Sequence, residues 1–501
     1  MKKIYLLFVS LSLSLFLKAQ ITQQEATKIV YDYIEQENIA ENHWLYENQT
    51  ISKNLNIETI VGEVNSPDFD SWLYFIDELP FANWSHNSRF VFVNTINGKI
   101  SVQYVNYPPA NLNEWNMLTD FPDIPKGEKF NFVKEEKSTI LKSGLVPANC
   151  YAVIISGGAN SYNNWERYWN DCSAIYSALV NIYGYLDSHI YVLISDGTNS
   201  GNDRHLNDNS YDSSPLDLDG DGDNDTQFSA TRANIKTVFN TLSAILDTDD
   251  YLFIFSTDHG GQDSGDDVYI NLWNETMNDD EFAVEVNKVN AGEIGIVMEQ
   301  CHSGGFVSEL SDENRVIATA CTADENSWAM PPNYTYNEFA YHWTAAVAGE
   351  DPNGNTIDAD SDNNGYVSVQ EAFDYAYAND DYVNGVYISG YGTVYEHPQY
   401  NSTPSGLGNN LNLNGRIPKI TGPNPVCASN VTYNLSNLPS DATVTWSATP
   451  SHLFTNTSGT GSTFSTAWDG SGSGSGTITA TLIGDCGSVD VEKEVWLGPP
   501  L

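Results

Sequence analysis

The chain has 501 residues, with 66 acidic side chains against 21 basic ones and a formal net charge of -45. A surface that negative repels phosphate backbones and anionic lipid, so it excludes nucleic-acid and membrane-surface roles and favours salt-tolerant solubility and bound calcium. The length allows about two to four domains, and six cysteines are too few for a disulfide scaffold.

Residues 1–20, "MKKIYLLFVSLSLSLFLKAQ", set Lys2 and Lys3 before a short apolar run, with Ala19 near a plausible cut. This reads as a secretory signal peptide, because the run is too short to span a bilayer. No later segment reaches the ~18 apolar residues of a spanning helix, so the expected location is secreted or periplasmic. Residues 21–145 open with a helical pattern, "TQQEATKIVYDYIEQ", followed by "SRFVFVNTINGKISVQYV". The alternation on both sides of Asn97-Gly98 predicts a hairpin, and the whole stretch is expected to be a small α+β propeptide shielding a crevice. Residues 129–147, charged and then small and polar, are the expected linker and processing region.

From Cys150 the texture changes. Short apolar runs, "CYAVIIS", "HIYVLIS", "YLFIFST", "IGIVMEQ" and "RVIATA", alternate with helix-like segments such as "ATRANIKTVFNTLSAIL". That pattern predicts one α/β domain over 146–405, a mostly parallel sheet with helices on both faces. Residues 416–498 are rich in Thr, Ser and Gly with short alternating strands, the pattern of an all-β immunoglobulin-like sandwich. Cys427 and Cys486 near its two ends are candidates for a bridge in an exported protein.

Functional positions in a parallel sheet lie at the carboxyl ends of strands. His259 follows "YLFIFST" and Cys301 follows "IGIVMEQ", so neighbouring strands would bring an imidazole and a thiol to the same edge. Taken singly, Cys301 is open to four readings: nucleophile, metal ligand, half of a disulfide, or core filling, which is what a lone cysteine usually is. A zinc site lacks C-x-x-C or H-E-x-x-H spacing, and His302 would face the other side of the strand. The paired strand ends favour the nucleophile. Gly260, Gly261, Gly304 and Gly305 would let a backbone approach and leave N–H groups free to face an oxyanion.

The segments "CYAVIISGGANSYNNWERYWNDCSAIY", "FIFSTDHGG", "VMEQCHSGGF" and "VIATACTADENSWA" together resemble the ordered motifs of the legumain-like (C13) cysteine peptidases, within the larger group that includes caspases, metacaspases and gingipains. The resemblance covers roughly residues 149–345 and implies a caspase-like fold. It implies Cys301 as nucleophile, His259 as its partner, the N–H groups of Gly260 and Cys301 as oxyanion donors, and Asn164 as the asparagine that steadies the histidine. It also implies a substrate pocket with Arg167 and Glu299, and places His342 where the family carries a pocket aspartate. A guanidinium beside a carboxylate suits an Asn side chain and admits Asp.

Residues 360–371, "DSDNNGYVSVQE", set Asp360, Asp362, Asn364, Tyr366 (through its carbonyl), Ser368 and Glu371 at loop positions 1, 3, 5, 7, 9 and 12, with Gly365 at 6. This is a complete calcium-loop pattern. A second acidic run, "DLDGDGDND" at 217–225, has Phe228 where the bidentate Glu would belong. The expected protein is an exported cysteine endopeptidase that cleaves protein or peptide substrates after Asn or Asp through a thioacyl-enzyme. It needs no catalytic cofactor, holds structural calcium, and carries a C-terminal module resembling PKD domains that binds an extracellular ligand. The rivals are a transpeptidase or ligase of the same family and a non-catalytic adhesin.

Overall fold

Runs of five to seven apolar residues can be buried on both faces, and in this computed structural model five such runs make the centre of one sheet. The structure describes residues 20–39, 43–83, 86–132, 149–263, 267–389, 391–438, 442–484 and 487–499. The expected signal peptide up to residue 19, most of the linker with its processing region (133–148), and Cys486 with its expected bridge to Cys427 lie outside the described residues. The chain divides into two compact units, one of Met1–Glu78 and Asn87–Thr119, the other of Leu79–His86 and Asp120–Leu501.

In the first unit, helix α1 (Gln23–Glu37) starts at a capping box made by Thr22 and Glu25, which satisfies two N–H groups that the first turn would leave open. Its buried face, Ala26, Val30 and Ile34, packs with Leu45, Tyr74, Ile76, Val91 and Val93. Those residues come from β1 (Trp44–Ser52), β2 (Ser71–Asp77) and β3 (Ser88–Asn94), which with β4 (Ile100–Val105) and β5 (Asn116–Met117) form an antiparallel sheet in the order β4-β3-β2-β1-β5. The hairpin read at Asn97-Gly98 is the β3–β4 pair.

The second unit is built on β6 (Cys150–Ser156), α2 (Glu166–Asn181), β7 (Ile190–Ile194), β8 (Thr226–Phe228), α3 (Arg232–Ile245), β9 (Tyr251–Ser256), α4 (Asp279–Val286), β10 (Glu293–Met298), α5 (Phe306–Leu310), β11 (Arg315–Thr319), α6 (Glu338–Ala348), α7 (Val369–Asn379) and β12 (Gln399–Thr403). The sheet order is β8-β7-β6-β9-β10-β11-β12, parallel throughout except for β12, which closes the edge antiparallel to β11. Alternate residues of one strand go to opposite faces. Accordingly Cys150, Ala152 and Ile154 join α2, α6 and α7 in one core, while Val153 and Ile155 join α3, α4 and α5 in the other. This is a mixed α/β architecture consistent with the caspase-like expectation. Residues 129–132, read as linker, are docked: Phe130 packs against Tyr336, and Phe132 clusters with Ala178 and Ala348.

Further along, β13 (Lys419–Thr421), β14 (Val431–Ser436) and β17 (Thr463–Thr466) form one antiparallel sheet, and β15 (Thr443–Thr449), β16 (Ser458–Thr460), β18 (Gly474–Gly484) and β19 (Gly487–Leu497) another. Both contribute to one core, where Trp446 stacks on Phe464 with centroids 5.6 Å apart. In the α/β core the largest wholly buried side chain is Trp343 of α6, stacked on Phe253 of β9 at 5.7 Å. Trp343→Ala is expected to lower the stability of this unit by about 3–5 kcal/mol, read from the midpoint of urea unfolding. An unchanged midpoint would mean that α6 is not fixed by this contact.

Candidate active site

Strands β9 and β10 are parallel neighbours, and the register pairs Ser256 with Met298. His259 and Cys301 each lie three residues beyond that pair, so the topology alone carries them to the same edge. Both are fully buried. Gly260 sits against the carbonyl of Cys301, where an added Cβ would come within 2.3 Å. That closeness is why glycine must follow the histidine. Gly304 and Gly305 lie against the Cys321 carbonyl and the Val268 side chain, and the Gly305 N–H donates to the His302 carbonyl at 3.0 Å. His302 bonds to the carbonyl of Ala323 at 2.6 Å and takes no part in the edge.

The His259 Nε2 lies 2.9 Å from the carbonyl oxygen of Asn163. A carbonyl only accepts, so Nε2 carries the proton and Nδ1 is left as the basic nitrogen. Asn164, expected to hold the histidine through its side chain, does not reach it. Its amide donates to Ser195 Oγ and to the Asp203 carbonyl, both at 2.6 Å, because the chain entering α2 turns the Asn163 carbonyl, and not the next side chain, toward His259. Burial and the nearby Arg167 charge push the His259 pKa well down. Burial and the neighbouring Cys321 push the Cys301 thiol well up, against the Ser327 N–H that donates to its Sγ at 3.3 Å. Both groups are therefore neutral in this state.

Arg167 projects from the first turn of α2 and is 1% exposed. Its Nε donates to Asn337 Oδ1 at 3.1 Å, and its Nη2 to Tyr168 Oη and Asn83 Oδ1, both at 2.8 Å. Asn83 is also fully buried. Its Oδ1 accepts a second bond from Tyr168 at 2.5 Å, and its Nδ2 donates to Ser327 Oγ at 2.8 Å and Asn337 Oδ1 at 3.3 Å. The four hydrogen-bonding positions of that amide are all used. Its orientation is forced, since a guanidinium can only donate. Asn337 is oriented in turn by Asp171, whose Oδ2 accepts from Asn337 Nδ2 at 2.7 Å and from Thr257 Oγ1 at 2.8 Å. Burial raises the Asp171 carboxyl to about 7, these bonds opposing the rise.

The other two expected pocket residues have partners of their own. Glu299 is buried with Oε2 on the Ala340 N–H at 2.9 Å, in the first turn of α6, and burial holds its carboxyl well above the usual range. His342, on α6, has its Nε2 3.4 Å from Glu338 and its ring against Tyr341 and near Tyr375. Asp171, Asn337, Tyr168, Ser327 and the Asn163 carbonyl were not read from the sequence. Only Asp171 left a trace, lying four residues after Arg167 on one helix face.

In the acidic loop, Asp360, Asp362 and Glu371 bring carboxylate oxygens within 4.8 Å of one another, and Asp217, Asp219 and Asp225 do the same. Asn364 Oδ1 accepts from the Tyr366 N–H at 2.8 Å. Ser368 caps α7, its Oγ accepting from the Glu371 N–H at 3.2 Å.

Among the described residues no helix is long and apolar enough to cross a membrane. No curated protein matches the chain. Among solved structures it is similar to protein GSU0716 from Geobacter sulfurreducens, at 12% identity and a TM-score of 0.29, over 50% of this chain and 92% of that one. Residues 150–373 match the model of the Peptidase C13 family, and this match supports a peptidase function of the cysteine type, acting on protein substrates.

Proposed function

We propose that the chain is an exported cysteine endopeptidase in which Cys301 and His259 form a dyad and Arg167 selects asparagine at the cleaved position. The observation that carries the reading is the β9–β10 register, which sets the two residues at equal distances past one paired position. The Cys301 sulfur attacks the scissile carbonyl as thiolate, His259 Nδ1 takes the thiol proton and gives it to the leaving amine, and water resolves the thioester. N–H groups of Gly260 and Cys301 would hold the oxyanion. The N-terminal "KK" and apolar run support export, and the two-sheet module with its shared core supports a PKD-like ligand-binding domain.

The pocket favours Asn over Asp for a local reason. Asn337 Oδ1 accepts from Arg167 and cannot turn without losing Asp171, so a carboxylate in the pocket would set an oxygen against an oxygen. An analogue that leaves such groups mispaired is rejected by about 10²-fold or more. For calcium, the Asp360 loop fits: three carboxylates converge, and Gly365 at position 6 has φ +87°, a conformation the loop needs and glycine gives freely. Asp360, Asp362, Asn364 and Glu371 would hold the ion, which would stiffen the start of α7.

Cys301→Ala and His259→Ala should each lower kcat/KM on an Asn reporter peptide by at least about 10³-fold, with the double variant no worse than either, since the pair acts as a unit. Activity within tenfold of wild type in Cys301→Ala, with the melting temperature kept, would remove the mechanism. A second expectation concerns pH. With Asp171 near 7, falling pH removes a negative charge joined to Arg167 through Asn337, so the Arg167 charge attracts a substrate carboxylate more strongly. The Asp-to-Asn ratio of kcat/KM should therefore rise between about pH 8 and pH 5.5, until the substrate Asp itself protonates near ~4. Asp171→Asn should flatten the profile, and a flat wild-type profile contradicts the assignment. For the metal, titration calorimetry in calcium should find one ion fewer per chain when Asp360 and Asp362 are both changed to Asn. Equal stoichiometry would exclude this loop.

A further inference from the structure

The side chain in the Arg167 pocket belongs to the chain itself. Asn83 lies in Leu79–His86, the connection between β2 and β3, and this segment is part of the second unit. Its backbone runs along the cleft as an added strand would: Ala82 forms an antiparallel bridge with Trp328, and the Asn83 N–H donates to the Ser327 carbonyl at 3.3 Å. Side chains then enter separate sites. Leu79 and Ala82 join Trp328, Tyr382 and Val394 in an apolar cluster, Phe81 stacks on Tyr334 at 4.1 Å, and Asn83 fills the polar pocket. Most telling is the main chain. The Cys301 thiol donates to the carbonyl oxygen of Asn83 at 2.9 Å. With its side chain on Arg167 and its carbonyl at the Cys301 sulfur, Asn83 has the placement of a residue about to be cut on its carboxyl side.

We infer that residues 79–83 are the leading part of a built-in substrate, which holds the cleft filled until Cys301 cuts the chain after Asn83. The inference rests on the dyad proposed above and adds to it a processing site and a sequence preference, aromatic-small-Asn, read from Phe81, Ala82 and Asn83. In the step itself, Cys301 Sγ bonds to the Asn83 carbonyl carbon and its proton passes to His259. The bond to the next nitrogen breaks, that nitrogen leaving with the proton as the α-amine of Trp84. Water then cleaves the thioester, giving the Asn83 carboxylate and the free thiol. Because thiol and imidazole are both neutral while the cleft is filled, the first cut is slow. Once residues 79–83 can leave, water reaches the pair and the Arg167 pocket is open to other peptides.

The test uses the purified full-length chain. Mass spectrometry and N-terminal sequencing after incubation should find a fragment ending at Asn83 and a new N-terminus at Trp84. The cut should be first-order, with a rate constant unchanged over a tenfold dilution, and absent in Cys301→Ala. Turnover of a Phe-Ala-Asn reporter should begin with a lag that follows the cut, the cut chain being at least tenfold faster. Asn83→Gln, checked for an unchanged melting temperature, should stay intact at this bond. Full reporter turnover by wild-type chains whose 83–84 bond is intact, or a cut rate proportional to concentration, would overturn the inference and leave the peptidase reading standing. No reporter turnover at all, with wild type indistinguishable from Cys301→Ala, would overturn the peptidase reading itself.

Discussion

The arrangement depends on one buried cation. Arg167 is 1% exposed, and a guanidinium taken out of water is tolerated only when its donors are met. Here Nε and Nη2 donate to neutral oxygens, those of Asn337, Tyr168 and Asn83, with the carboxylate of Asp171 one step behind on Asn337. A neutral acceptor can be exchanged for another neutral acceptor at little electrostatic cost, which is what the proposed Asn pocket would require. A direct Arg–carboxylate pair would have closed it.

The same charge shapes the catalytic edge. Arg167 lowers the His259 pKa and helps hold down that of Asp258, whose carboxyl burial still raises to about 7. Buried acids around the site, Asp171, Asp258 and Glu299, are all shifted upward by burial first, so the site carries little net negative charge despite the acidic chain around it. With Asn83 in place, Cys301 and His259 are both buried and neutral.

Much of this was legible in the sequence because the signals were one-dimensional. Apolar runs of strand length gave the parallel sheet, and the positions of His259 and Cys301 after two such runs implied a shared edge, which the β9–β10 register bears out geometrically. Arg167 was found through motif order. What escaped depends on how the chain folds back on itself. Asn337 and Ser327 reach the pocket from segments more than 150 residues from Arg167 in sequence, and no local pattern marks them. Asn83 was hidden in an ordinary-looking connection between two strands. The Asn164 amide bonds to Ser195 and Asp203, and the contact with His259 comes from the Asn163 carbonyl, which matching of side chains does not reveal.

The central claim is that Cys301 reacts only beneath an asparagine held by Arg167. Peptide mapping by mass spectrometry, after treating the processed chain with a peptide electrophile carrying Asn at the reacting position, tests it most directly. The account predicts a single adduct on Cys301, strongly reduced in Arg167→Leu and with an electrophile carrying Lys in place of Asn. An adduct on a different cysteine, or equal labelling of Cys301 by the Asn and Lys electrophiles, would contradict it.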